Sequence, residues 1–253
     1  MTVILLHLIT SCGYIFGTWK IWNKSRHRKN TPIATFPRYF RLGLGVPVIL
    51  HLYLVITAIY RLDGVYFGLG TSIFTIFVLA TLIYWFSSFL FRLDALYILI
   101  FPAAAVTSLL PLIVPVNMPL TPNLTPYFTT HLTMSILAYS LLTIACFHVL
   151  LMAFIQKNLH SGKINNIAFE LPSVLTMEII LYRIILAGFV LLSLSLATGM
   201  YFAEQTTGAA ISLSHKTIFG ILSWMIFGIL LLGRVFLGWR GRTAIRWTLA
   251  GFA

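Results

Sequence analysis

Apolar residues in this chain come in long runs rather than in alternation, and the polar residues gather between the runs. The runs cover about residues 2–19, 42–60, 69–91, 95–115, 129–155, 179–200 and 217–237. Each supplies roughly the 20 residues that a helix needs to cross about 30 Å of hydrocarbon. Hydrocarbon offers the backbone no hydrogen bonds, so a spanning segment must satisfy its own N–H and C=O groups, and helices do this. An eighth run begins near residue 246, and the roughly eight residues from there to Ala253 rise only about 12 Å. The pattern predicts an all-α, polytopic transmembrane helix bundle of seven full spans plus a truncated eighth, a single integral-membrane domain over 1–253. The segment MTVILLHLIT has no positively charged leading region and no small-residue cleavage site, so residues 2–19 read as a retained first span.

Composition strengthens this reading. The chain is 59% hydrophobic and 9% charged, where a soluble domain carries about a quarter charged residues. The net charge of +12 raises the question of nucleic acid, and the placement of the charges answers it. With the N-terminus outside, the inner side holds Lys20, Lys24, Arg26, Arg28, Lys29, Arg38, Arg41, Arg92, Lys157, Lys163, Arg183, Arg234, Arg240, Arg242 and Arg246. The outer side keeps Arg61 and Lys216, so fifteen basic residues face two. That bias sets orientation, and the charge is topology plus attraction to anionic lipid, with no nucleic-acid footprint.

A few polar residues remain inside or at the mouths of the runs. His131 opens the fifth run, with Ser135, Ala138 and Tyr139 following on its face at helical spacing. It is either a ligand or a histidine resting in the headgroup layer. His51 lies near the middle of the second run, where an ionisable group marks a functional site by default. The alternative is a neutral imidazole hydrogen-bonded to a neighbouring helix. His7 and His148 read as packing or interfacial residues, and Cys12 and Cys146 as ordinary buried thiols without CxxC spacing. On the seventh run Lys216, Gly220 and Trp224 share one stripe, and His215, Phe219 and Ser223 the adjoining one. Lys216 works against the orientation bias, so a role toward an anionic group is expected of it. Glu178 sits at a helix start, where the helix dipole favours it, and Tyr182 and Arg183 are placed to hold it. No carboxylate pair suggests acid–base catalysis. The connector PLIVPVNMPLTPNLTP holds five prolines between 111 and 126 and reads as a stiff outer cap.

The stretches HLTMSILAYS, TMEIILYRIILAGFVLLSLSLATGMYFAE and HKTIFGILSWMIFGILLLGRVFLGWRGRTAIRWTLAGF, in this order and spacing, resemble the cytochrome c assembly protein family. The likeness is nearest to its inner-membrane YpjD-type branch, related to the HemX-like proteins, and places an assembly-like core at about 42–253. It implies a multi-pass protein of the bacterial inner membrane linked to haem handling, with membrane lipids and other cytochrome c maturation proteins as partners. In the relatives, paired external histidines hold haem as axial ligands beneath a tryptophan-rich WGxxWxWD segment. By resemblance His131 matches the first of those histidines, Lys216 stands at the lysine of their DPK motif, and His215 replaces its proline. Trp224 is retained, as is GWRGR, with Trp239, Arg240 and Arg242, as a cytoplasmic loop for a partner or lipid. The tryptophan-rich segment itself is replaced by YFAEQTTGAAISLSHK, which argues against direct ligation of haem to an apocytochrome.

Bis-histidine ligation needs two neutral imidazoles facing across the iron in a nonpolar pocket. His131 and His215 lie at outer helix ends and would face each other if the fifth and seventh runs are neighbours, with Lys216 paired to a propionate. His51 is a further candidate for cofactor binding. The rival reading is a non-enzymatic scaffold that binds no haem and helps assemble another membrane complex. The topology is checked by reporter fusions: alkaline phosphatase joined after Asn123 is expected to be active, and after Asn165 inactive. The opposite pattern would invert the orientation.

Overall fold

Residues 2–27, 37–61, 64–90, 96–114, 126–160, 174–207 and 215–252 are described by the structure, a computed structural model. Side chains at 25–27, 126–127, 158–160, 202, 205–207 and 215–216 lie outside that description. The elements in chain order are α1 (Thr2–His27), α2 (Arg38–Ile59), β1 (Tyr60–Arg61), β2 (Gly64–Val65), α3 (Leu69–Leu90), α4 (Tyr97–Ser108), α5 (Leu110–Ile113), α6 (Pro126–His160), α7 (Val174–Thr207), α8 (His215–Phe236) and α9 (Arg242–Phe252). The protein is an all-α membrane bundle, in which six of the described helices are long and apolar enough to cross a bilayer.

The fourth apolar run departs from expectation. Where the sequence predicts a full span over 95–115, the chain forms the 12-residue α4 and the four-residue α5, separated by Leu109. Pro111 at the start of α5 and Pro102 within α4 each remove a backbone donor, and the ladder breaks between them. Together they cover residues 97–113, at the lower limit of spanning length. Helices α6 and α7 extend past their predicted ends, because residues too polar to mark a span still continue a helix. The final helix starts at Arg242, earlier than the run near 246. The proline connector beyond residue 114 and the connector 161–173 fall outside the described residues.

The chain divides into two compact units. The first comprises Met1–Leu120 with Phe154–Ser173. Here α1 packs on α2 and α4, α2 packs on α3, and α3 packs on α4 and α5. Leu54, Val55, Phe74 and Val78 form a buried apolar cluster between α2 and α3. Tyr14, Phe101, Tyr97 and Tyr84 make a chain of edge-on ring contacts at 4.6–5.0 Å, a geometry that aligns ring edges with ring faces. A two-residue antiparallel ladder, Tyr60 opposite Val65 and Arg61 opposite Gly64, links α2 to α3.

The second unit comprises Thr121–Ala153 with Val174–Ala253. Its α7 packs on α8, and α8 on α9. Helices α6 and α7 run antiparallel: His131 meets Gly199, Leu142 meets Gly188, and His148 meets Met177.

Inside a membrane, helices gain nothing by hiding apolar surface from one another, so small residues that admit a close approach supply the packing. A side-chain carbon at Gly45 of α2 would lie 2.4 Å from the Trp85 indole of α3, whereas one at Gly43 would meet nothing within 4 Å. Gly45→Val is therefore expected to destabilise the first unit by about 1–3 kcal/mol through overpacking, and Gly43→Val to leave it unchanged. Thermal denaturation in detergent, followed by size-exclusion chromatography, checks the contrast; equal melting curves would refute the close approach.

Candidate functional site

His131 lies near the start of α6 and is only part-buried. Its Nδ1 is 2.8 Å from the main-chain carbonyl of Ser195 on α7. A carbonyl only accepts, so Nδ1 carries the proton, and in a neutral ring the lone pair is left on Nε2. Around this contact the hydroxyls interlock. Ser135 donates to the His131 carbonyl at 2.7 Å, and its oxygen stands 2.6 Å from that of Ser195, which therefore donates to it. On the next turn of α7, a side-chain carbon at Gly199 would lie 2.8 Å from His131 Cε1 and 3.0 Å from Nδ1. The imidazole rests on bare backbone. Of the face expected to follow His131, Ser135 and fully buried Ala138 turn inward, while Tyr139 is exposed.

Trp224 of α8 serves α7. Its indole Nε1 donates to the Ser193 hydroxyl at 2.8 Å and its ring stacks on Phe189 at 5.6 Å with a 17° tilt. Helix α8 begins at His215. The side chains of His215 and Lys216, and with them the expected pairing of His215 with His131, lie outside the described residues.

His51 belongs to the first unit and is fully buried. Its Nδ1 is 3.0 Å from the Tyr14 hydroxyl, which also stands 3.4 Å from the Thr81 hydroxyl, and its ring lies 4.5 Å from that of Phe74. Nε2 has no hydrogen-bond partner among the described residues. A neutral imidazole tying α2 to α1 accounts for Nδ1 and leaves Nε2 unexplained. His7 reaches the Ser108 carbonyl at 2.5 Å and His148 the Met177 carbonyl at 2.9 Å, both buried helix-to-helix contacts. Cys12 and Cys146 are free thiols, and Cys12 is exposed.

Glu178 behaves differently from the sequence expectation. Helix α7 starts at Val174, so Glu178 lies beyond the first turn and gains little from the dipole of its own helix. Its Oε1 instead accepts the Gly241 N–H at 2.7 Å, at the head of α9. The buried carboxylate thus faces the positive end of another helix, 63 residues on. Tyr182 does not hold Glu178: its hydroxyl donates to the Trp239 carbonyl at 2.9 Å, with Arg234 donating to the same oxygen at 3.3 Å and lying over the Tyr182 ring. Arg183 points outward. Gly238 and Gly241 take φ of +66° and +54°, the left-handed backbone that glycine adopts without strain, and these two turns fold GWRGR back on α8. Trp239 packs on Gly233 and against Trp247 at 5.2 Å, while Arg240 and Arg242 project outward.

Comparison with known proteins bears on both clusters. The Cytochrome C assembly protein family matches residues 40–253, which include both. The chain belongs to the cytochrome c assembly protein family. It is 31% identical to inner membrane protein YpjD of Escherichia coli K12 over 120 residues, 47% of this chain and 44% of that protein. It is 34% identical over 122 residues to a 28.8 kDa protein of Azospirillum brasilense, covering 48% and 45%. The cytochrome c biogenesis protein CcsA of Prochlorococcus marinus MIT 9515 is 32% identical over 99 residues, 39% of this chain and 32% of that protein. The chain thus spans less than half the length of the curated relatives it matches. No solved structure matches it. With its apolar helices, membership makes this a multi-pass inner-membrane protein.

Two site residues escape any reading of spacing, Ser195 and Gly199. Their trace is a run rich in small residues, SLSLATG, within which Ser195 and Gly199 share one face of α7. The Glu178 contact yields a direct test. Glu178→Ala leaves the Gly241 N–H without its acceptor, a loss of about 1–3 kcal/mol. Trypsin is expected to cut after Arg240 and Arg242 faster in Glu178→Ala than in the wild type, with Glu178→Gln in between; equal rates would show that the loop is held otherwise.

Proposed function

We propose that this member of the cytochrome c assembly family handles haem at the membrane surface, and that His131 would hold its iron. The observation that carries the proposal is the Ser195 carbonyl on His131 Nδ1. Histidines that ligate metals characteristically donate their other ring nitrogen to a carbonyl or carboxylate, which fixes the ring and leaves a lone pair for the metal. Haem iron already has four ligands from its porphyrin, so a site for it needs few protein donors. His131 would therefore be one of the residues that hold the iron. Haem would contribute an iron that accepts imidazole nitrogen and propionates that pair with cations.

In this proposal His215 would be a second residue to hold the iron and Lys216 would pair with a propionate, both from the head of α8. Trp224 orders α8 against α7 through Ser193 and Phe189. His51 is a separate buried imidazole in the first unit and a candidate for cofactor binding there. The GWRGR loop, with its outward Arg240 and Arg242, faces lipid headgroups or other maturation proteins. The segment in place of the tryptophan-rich motif favours holding or passing haem over ligating it. A scaffold without haem is the second reading, favoured by the rigid Glu178-anchored loop, which presents its arginines as a docking surface would.

The test is the absorption spectrum of the full chain purified from haem-replete membranes. A Soret band with pyridine-haemochrome confirmation is expected in the wild type, and its loss in His131→Ala and in His215→Ala. A wild-type protein without haem, with a stably co-purifying partner unaffected by His131→Ala, would establish the scaffold instead.

A further inference from the structure

We infer that Gly199 and the Ser195 carbonyl form a built seat on α7 that fixes the tautomer and heading of His131, making them positioning residues for that imidazole. The consequence for haem rests on the function proposed above; the seat itself does not.

Three observations converge on it. First, the ring nitrogen and the carbonyl are in hydrogen-bond contact at 2.8 Å. A carbonyl oxygen only accepts, so an unprotonated ring nitrogen could not be held against it. A protonated Nδ1 is the form that fits. Second, position 199 has no room for any side chain. The nearest atoms to an added carbon are His131 Cε1 at 2.8 Å, Nδ1 at 3.0 Å and Nε2 at 3.6 Å, all of one ring. Real side-chain carbons do not approach atoms that closely, so even alanine would displace the imidazole. Third, the seat is braced from behind. Ser195 and Gly199 are four residues apart on one helix face, and the Ser135 and Ser195 hydroxyls join α6 to α7 beneath the ring at 2.6 Å. The nearby Gly188, against Leu142, lets the same two helices close further along.

A glycine under an aromatic ring is explained by helix packing alone at many positions. Here the ring is an imidazole, and its Nδ1 is spoken for by the Ser195 carbonyl. Packing would be served by any small flat group; the carbonyl contact selects an imidazole in one tautomer. The seat thus turns a flexible side chain at a helix mouth into a preorganised single-nitrogen donor, and the outer-shell contact is of the kind whose loss costs 10–100-fold in metal affinity.

The experiment uses the full chain in detergent or lipid nanodiscs, uniformly labelled with 15N at histidine, with His131 assigned by difference from His131→Asn. The expected result is a neutral ring protonated at Nδ1 in the wild type. In Ser195→Ala, which keeps the carbonyl, that tautomer persists; in Gly199→Ala it is lost. A wild-type His131 protonated at Nε2, or an Nδ1–H signal that survives in Gly199→Ala, would overturn the inference. If Gly199→Ala folds poorly, a double-mutant cycle of thermal midpoints decides. The penalty of Gly199→Ala is expected with His131 present and largely absent in the His131→Ala background. Equal penalties in both backgrounds would also overturn it. Haemin titration completes the set, with binding weakened about 10–100-fold in Gly199→Ala. A wild-type Nδ1–H tautomer with no haemin binding would refute the proposed function while leaving the seat intact.

Discussion

Hydrocarbon gives a polar group no partner, so a polar group that the chain carries into the membrane is costly unless another part of the protein answers it. The histidines show the rule most clearly. His7 is answered by the Ser108 carbonyl, His51 by Tyr14, His131 by Ser195 and His148 by Met177. In each case the partner sits on a different helix, so each contact fixes a pair of helices as well as a ring. Serine and threonine hydroxyls handle the same demand locally by bonding to carbonyls three or four residues back, as Thr10, Ser140 and Thr248 do. The local solution secures a side chain; the histidines and Tyr14 decide which helices meet.

Close approach is the complement of that constraint. A carbonyl of one helix comes within reach of an imidazole on the next only where the backbones draw near, and glycine permits this. Gly13 against Pro47, Gly45 against Trp85 and Gly188 against Leu142 bring helices together by packing alone. At Gly199 the neighbour is His131 itself, so packing and chemistry coincide at one place. That coincidence distinguishes His131 from His7 and His148, which are enclosed on all sides and serve as structural ties.

The Glu178 cluster applies the same logic to a charge. A carboxylate among apolar helices needs donors, and the head of α9 supplies one through Gly241. The two left-handed glycines of GWRGR exist to bring that N–H into place, and Tyr182 and Arg234 converge on the Trp239 carbonyl to hold the turn. Conformational freedom at Gly238 and Gly241 is thereby converted into a rigid corner between α8 and α9. The outward heading of Arg240 and Arg242 follows from it.

Length and polarity alone settled much of this protein. Runs of about 20 apolar residues specify spanning helices because the bilayer has a fixed thickness, and scarce charges specify a membrane protein because water could not solvate the rest. The order of HLTMSILAYS, TMEIILYR and GWRGR carried the family likeness, since those strings are local. His131 and Glu178 stood out because a polar residue in an apolar run is costly wherever it points. Their partners were not legible, because they depend on which helices become neighbours. Ser195 offers its carbonyl rather than its side chain, and Gly199, a small residue inside a stretch that carries the family likeness, does not reveal which ring rests on it. Glu178 finds its donor 63 residues away, where no helical period connects the two. The broken helix over 97–113 lies between these cases: its prolines were visible, but apolar length outweighed them until the backbone had to choose where its ladder would stop.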